Sequence, residues 1–342
     1  MKIAIHRDGD SFTERWIEYC FENGIDYKIV NCYANDIIHQ LNDCDALMWH
    51  HSHMRSRDVL FAKQLLFALE LAEKKVFPNF RTNWHFDDKL SQKYLMESMN
   101  IPHARVFAFY SKTEAFEWIK NAEFPLVFKL RRGSGSSHVK LIKTKQSAKK
   151  IVNKAFQRGF SQYDKWENLK ERIRKFKGGR GTFYNVLKGI LRIGFTTKLA
   201  HTAGNERGYV YFQEFIPNNT FDIRVIVIKN KAFAIKRLAR KNDFRASGSG
   251  NILYDKNEVP ISAVKFAFEA NQKIKAQCIA FDIVYENNVP LLLEISYGFS
   301  AVGYDPCPGY WDNKLNWHEG PFNPYGWMID LVLNEIKDRH AN

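Results

Sequence analysis

Two carboxylates, Asp282 and Glu294, lie near the ends of two short apolar stretches, Phe281-Asp-Ile-Val-Tyr285 and Val289-Pro-Leu-Leu-Leu-Glu294. The intervening Glu286-Asn287-Asn288 has the composition of a hairpin turn. Antiparallel pairing of the two stretches would set the acids side by side. Like charges that close repel unless a cation lies between them, and hard oxygen donors suit Mg2+ better than zinc. Taken alone, the same pair also fits a solvated hairpin face.

Cationic and glycine-rich segments upstream offer complementary chemistry. Phe124-Pro-Leu-Val-Phe-Lys129 reads as a strand ending in lysine, followed by Leu130-Arg131-Arg132-Gly133-Ser134-Gly135-Ser136-Ser137 and a second strand, His138–Ile142. Glycines let a backbone approach a polyanion, so this hairpin fits a phosphate cradle, with Lys129 as the charge at its base. A flexible Gly/Ser hairpin without a ligand is the alternative. Asp87-Asp88-Lys89 opens a helix carrying Leu90, Tyr94, Leu95 and Met99. The aspartates suit that helix N-terminus, whereas Lys89 opposes the helix dipole. Further on, Tyr209–Ile216 contains Gln213-Glu214, and two more strands, Phe221–Ile228 and Ala232–Ala239, carry Asp222, Arg224 and Arg237. Three strands in series predict an antiparallel sheet, and alternation places Asp222 and Arg224 on one face. Asp243-Phe244-Arg245 and the small run Ala246–Asn251 add another cation and another permissive loop.

The elements that must position these groups begin with a compact α/β unit. Strands at Lys2–His6, Asp26–Val30 and Asp45–Trp49 alternate with helices at Phe12–Asn23, Asp36–Leu41 and Arg57–Glu73, with an apolar Val76-Phe77-Pro78 beyond. That alternation predicts a parallel sheet, whose ligands sit past the carboxyl ends of its strands. Arg7-Asp8-Gly9-Asp10 and His50-His51-Ser52-His53 fall there. The histidines read as structural or substrate-contact groups ahead of a metal site, since no fourth ligand is apparent. The unit lacks a Gly-x-Gly-x-x-Gly turn, so dinucleotide binding there is unsupported.

With 342 residues and 45% hydrophobic content, the chain can bury a large core in two or three domains. No apolar run reaches the ~18 residues of a membrane span, and the start reads as a strand rather than a signal peptide, so a cytoplasmic location is expected. The five cysteines, Cys20, Cys32, Cys44, Cys278 and Cys307, show no CxxC pairing and read as reduced thiols. The net charge of +14 is unevenly distributed: residues 1–80 hold 9 Lys/Arg against 12 Asp/Glu, whereas residues 140–207 hold 18 against 4. A basic field of that kind attracts nucleic acid, an anionic membrane surface, an acidic glycan or nucleotide phosphates.

The order PLVFK with a Gly/Ser flap, QEFI, DIR, a basic strand followed by DFR, then D…LLLEIS resembles the ATP-grasp superfamily, most closely its RimK-type carboxylate–amine ligases, over about residues 85–300. The resemblance implies an α/β (α+β) fold: an N-terminal parallel α/β domain over 1–84, a small subdomain over 85–208, and a large subdomain over 209–342. It also implies ATP and Mg2+, with Mn2+ as an alternative ion. Lys89 and Lys129 would hold phosphates, and the flap from Arg131 through Gly133, Ser134, Gly135, Ser136 and Ser137 would close over them. Gln213 and Glu214 end the strand whose Glu214, with the Phe215-Ile216 backbone, would read the adenine, and Asp222 would lie near the ribose or the adjacent substrate site. Arg224, Arg237 and Arg245 would face the phosphates and a developing acyl phosphate; Asp282 and Glu294 would bind Mg2+. Ser296 stands where relatives carry Asn as the remaining metal ligand, a role its hydroxyl or a water would take.

The activity implied is ATP-dependent joining of a carboxylate to an amine or amino acid. Two features bear on the substrate. An insertion over about 155–207 places Tyr163, Trp166, Leu169, Ile173 and Phe176 at helical spacing among Lys170, Arg172, Arg174, Lys175 and Lys177, as a surface helix or a docking element for an anionic substrate, glycolipid or membrane surface. The aromatic tail, Tyr297–Ser300, Tyr304–Trp311 and Trp317–Trp327, either caps the core or forms a rim beside the metal site. Together they suggest an acidic sugar or glycan precursor as the carboxylate. The alternatives are a peptide or protein amino-acid ligase, a phosphotransferase, and a non-catalytic nucleic-acid-binding protein; no recognisable nucleic-acid motif is present, so no stable nucleic-acid partner is expected.

Overall fold

The computed structural model describes residues 1–7, 9, 11–133, 138–161, 169–170, 172–174, 176, 182–194, 204–240 and 243–341. Strands β1 (Lys2–His6), β2 (Asp26–Val30), β3 (Ala46–Met48) and β4 (Lys75–Phe77) alternate with helices α1 (Ser11–Glu22), α2 (Ile37–Gln40) and α3 (Ser56–Leu71). They form a parallel sheet in the order β2-β1-β3-β4. Elements cover both faces, so Ile3, Ala4, Ile5 and Ala46 to Met48 are all fully buried rather than alternating with polar residues. Two helices lead onward, α4 (Phe80–Asn83) and α5 (Lys89–Ser98). The Asp88 side chain caps α5 by accepting from the Leu90 and Ser91 amides.

The middle of the chain runs β5 (Val106–Phe109), α6 (Lys112–Asn121), β6 (Leu126–Lys129), β7 (Lys140–Ile142), α7 (Lys145–Phe156), β8 (Phe160–Ser161), α8 (Phe183–Gly194), β9 (Asn205–Glu206) and β10 (Val210–Glu214). Among the described residues, one antiparallel sheet has the order β5-β10-β6-β7. Its outer face packs on α6 and α7 through Ala115, Ile119, Ala148 and Val152. The helix expected around Tyr163 to Phe176 falls largely outside the described residues; 169–170, 172–174 and 176 within it are helical.

The last third contains β11 (Phe221–Ile228), β12 (Lys231–Leu238), β13 (Ile252–Leu253), α9 (Ile261–Ile274), β14 (Cys278–Glu286), β15 (Val289–Ser296), α10 (Ala301–Tyr304), β16 (Gly309–Asp312), β17 (Trp317–Glu319) and α11 (Pro324–Ala341). Its sheet has the order β15-β14-β11-β12-β16-β17, with β13 beside β12. This departs from the expectation that Tyr209–Ile216 pairs with the next two strands, because β10 lies in the smaller sheet. The chain crosses between sheets at Pro217-Asn218-Asn219, where Asn218 has φ 63° and the Asn219 side chain donates to the Tyr285 carbonyl and accepts from the Tyr285 amide.

Alternation along β11 divides its apolar residues between two cores. Ile223, Val225 and Val227 pack under α9, while Ile226 and Ile228 join Ile3, Ile5, Trp16, Met328, Ile329 and Val332. The closing helix therefore shares a core with the N-terminal layer. Tyr19 of α1 donates its hydroxyl to Asp330 of α11 at 3.0 Å.

The aromatic tail largely caps this architecture. Tyr310 stacks on His318 at 4.9 Å, Phe322 on Trp327 at 5.2 Å, and Lys231 Nζ sits 4.5 Å from the Trp327 ring centre. These rings lie at the Lys231 end of β12, opposite Arg237. A rim beside the carboxylate pair is thus corrected for Tyr310, Trp311, Trp317 and Trp327, and only Gly298, Phe299, Ser300, Gly303 and Tyr304 of the tail reach the cavity there.

Candidate active site

A cavity of about 640 Å³ is walled by the β5-β10-β6-β7 sheet, by the large sheet of β11 to β17 and by the carboxyl end of β3. Lys89, Lys129, Gly133, Gln213, Glu214, Phe215, Ile216, Asp222, Arg224, Arg237, Arg245, Asp282, Glu294 and Ser296 all line it. Ser134, Gly135, Ser136 and Ser137 lie outside the described residues. Residues as far apart in the chain as Lys89 and Ser296 thus meet in one space.

Strand register builds the acidic end. Asp282 pairs directly with Glu294 across β14 and β15, and the register shifts after Asp282, an irregularity of the kind that re-aims side chains. Arg224 lies opposite Asp282 on β11, and Asp222 opposite Arg237 on β12. Buried carboxylates need such partners. Arg237 grips Asp222 through two hydrogen bonds, 2.6 and 2.8 Å, and reaches Asp282 Oδ2 at 3.0 Å. Arg224 Nε stands 3.3 Å from Asp282 Oδ1, yet its orientation makes no hydrogen bond, and that buried oxygen accepts none. Burial pushes the Asp282 carboxyl up, but Arg224 and Arg237 outweigh it and hold the group below its ordinary value.

Lys89 explains its own unusual place in the first turn of α5. It is 4% exposed, its Nζ lies 3.0 Å from Glu294 Oε1, and it donates to the Gly133 carbonyl at 2.8 Å. The Lys89 amide donates to the Arg131 carbonyl, and Asp87 accepts from the Gly133 amide. One helix turn thereby anchors the base of the flap. Burial disfavours the charged lysine, but Glu294 and Asp87 more than compensate and raise its pKa. Lys129, ending β6, is also buried; desolvation pushes it down to about 8, with Glu294 opposing.

The opposite end is more apolar. Val127, Val139, Phe215, Ile216, Phe244 and Leu293 line it, and Gln213 donates to the Leu293 carbonyl across the two sheets at 3.4 Å. The Glu214 carboxylate binds Arg105 at 2.6 and 3.0 Å, and this arginine holds it below the usual carboxylate range. Sequence alone offered no signal for Arg105, because the pairing depends on β5 lying beside β10. Arg245 is held by Asp243 through two contacts of 2.9 Å.

The histidines after β3 enter the same cavity from the N-terminal layer. His50 stacks on Phe12 at 3.9 Å, and His51 Nε2 lies 2.7 Å from Asn83 Oδ1. Burial pushes His51 down to about 3. Among the described residues, no group of three His, Cys, Asp or Glu side chains is placed to hold a metal. The oxygens around Asp282 still form a hard donor set: the unbonded Asp282 Oδ1, Glu294, and the Ser296 hydroxyl, which donates to the Gly298 carbonyl at 3.0 Å and keeps its lone pairs. That set fits Mg2+, whose remaining positions are normally filled by water and phosphate oxygens.

Residues 197–304 match the RimK-like ATP-grasp domain family. No curated protein matches the chain in sequence. Among solved structures, a RimK domain ATP-grasp protein from Sphaerobacter thermophilus shares 15% identity and a TM-score of 0.55, covering 97% of this chain and 100% of its own. D-alanine–D-alanine ligase from Bacillus anthracis complexed with ATP gives 14% and 0.54, with 99% of each chain covered. The ATP-grasp ligase PsnB, complexed with a minimal precursor, Mg and ADP, gives 12% and 0.53, with 98% of each covered. The sheets, the cavity between them and these likenesses agree: the chain has the ATP-grasp fold, and its residues 197–304 match the RimK-like ATP-grasp domain family.

Proposed function

We propose that this protein is an ATP-dependent ligase that joins a carboxylate to an amine through an acyl phosphate. The observation that carries the reading is one cavity whose wall brings five cations, Lys89, Lys129, Arg224, Arg237 and Arg245, together with the Asp282–Glu294 pair. ATP supplies the phosphoryl group, and Mg2+ offsets the charge on its oxygens. Nucleotide complexes of the Bacillus anthracis ligase and PsnB support this choice of cofactors.

Each side chain then has a chemical task. Asp282, Glu294 and Ser296 hold the cation; Lys89 and Lys129 meet phosphate oxygens from the small-sheet side. Arg224, Arg237 and Arg245 stabilise charge on the transferring phosphoryl and on the acyl phosphate. Gln213, Glu214, Phe215 and Ile216 form the base-binding end, and Asp222 fixes the Arg237 guanidinium. The flap of Arg131 to Ser137 shields the intermediate from water. The reaction needs no protein nucleophile, because positioning and charge stabilisation supply the catalysis.

The test is ATP-dependent trapping with hydroxylamine across a panel of carboxylates, including uronic acids, amino acids and peptides. A hydroxamate with stoichiometric ADP supports the ligase and names its carboxylate class. ADP release and a phosphorylated product without hydroxamate would make the protein a phosphotransferase. Salt-sensitive nucleic-acid binding without ATP binding would remove the enzymatic reading altogether.

A further inference from the structure

We propose that helix α8 docks the protein on an anionic lipid surface. The helix leaves large apolar side chains in solvent: Phe183 and Tyr184 are each 67% exposed, Leu187 45%, Ile190 50% and Leu191 62%. At roughly 100° per residue these five project within an arc of roughly 120°. The flank that meets protein is a different one. Val186 is 9% exposed, and a Cβ on Gly189 would lie 2.6 Å from the Arg172 side chain. The helix is therefore seated on the segment around Arg172 while its apolar stripe faces outward, the reverse of a surface helix folded onto a core.

Charge selects the occupant. Residues 155–207 carry 12 Lys/Arg against 4 Asp/Glu, and Lys188 flanks the stripe with its Nζ 5.9 Å from the Tyr184 ring centre. A second copy would bring the same positive segment against itself, and a nucleic acid would leave the apolar stripe in water. An anionic bilayer meets both needs, with acyl chains under the stripe and headgroups beside Lys188. Twelve residues rise only about 18 Å, so α8 would lie in the interface rather than span it. No described α8 side chain lines the cavity, which leaves docking independent of the chemistry.

Sedimentation of the full chain with phosphatidylglycerol–phosphatidylcholine vesicles tests this against vesicles of phosphatidylcholine alone. Binding to the anionic vesicles that falls with added salt, drops roughly tenfold or more in a Leu187→Asp/Leu191→Asp variant, and weakens in Lys188→Glu is the expected result. Both variants should keep the wild-type melting temperature and ATP affinity. Absence of binding to anionic vesicles, or equal binding by the aspartate variant, overturns the proposal. So does a wild-type dimer that becomes monomeric in that variant, which would assign the stripe to a second copy.

Discussion

At the scale of single residues, Arg237 and Arg105 show how position decides what an ion pair is worth. Arg237 is buried between Asp222 and Asp282, so removing it strands two carboxylates away from water. Arg237→Met is expected to cost about 3–5 kcal/mol in urea unfolding, with a smaller loss for Arg237→Lys. Arg105→Ala, at a side chain 69% exposed, should cost less than about 1 kcal/mol by the same measurement. Glu294→Gln removes a charge from the proposed cation site and the partner of Lys89. It should lower ATP-dependent ADP release by roughly 100-fold or more while far-UV circular dichroism is unchanged. An unaltered rate would dissociate this hairpin from the chemistry.

At the scale of elements, the hairpin of β14 and β15 was legible because its signals are local. Apolar strands flank Asn287 and Asn288, which take φ of 50° and 66°, the left-handed values that asparagine tolerates and such turns require. Lys129, at the end of its strand, was legible for the same reason. The sheet that β10 joins was not, since a run of strands does not state where the chain crosses over. Lys89 drew notice as a misplaced charge, but its partner Glu294 lies far along the chain. The apolar stripe of α8 reads in sequence like any helix with a buried side; only its seating reveals that the stripe faces out.

The junction between β3 and α4 carries a pH dependence. Burial holds His51 at about 3 and His85 at about 4, against 6.5 when unfolded. The unfolded chain takes up protons that the folded chain refuses, so this contribution is complete above pH 6.5 and is lost as pH falls toward 4 and 3. Each histidine should cost up to about 1.4 kcal/mol per pH unit within that window. Melting temperatures from neutral to mildly acidic pH should fall accordingly, and His51→Asn should flatten the slope while lowering the neutral value.

At the scale of the whole molecule, three layers converge on one cavity, and the first and last helices of the chain close against each other. Lys129, Asp282 and Glu294 come from the antiparallel sheets, while the histidines follow a strand of the parallel one. Among the described residues, no helix is long and apolar enough to cross a membrane. The shared core of α1, β11 and α11 means that damage at Ile329 reaches the sheet that carries Arg224 and Asp282.

Gly326 marks how closely that closure is fitted. A Cβ there would lie 2.5 Å from the Tyr19 ring, so Gly326→Ala should drive α1 from α11 like a wedge. Its expected signatures are a lower melting temperature and faster hydrogen exchange in both β1 and β11, two strands far apart in sequence. If exchange rises only in α11, the two layers are merely neighbours. If it rises in both, a single hydrogen atom at position 326 is the tolerance on which the alignment of the histidine wall with the carboxylate wall depends.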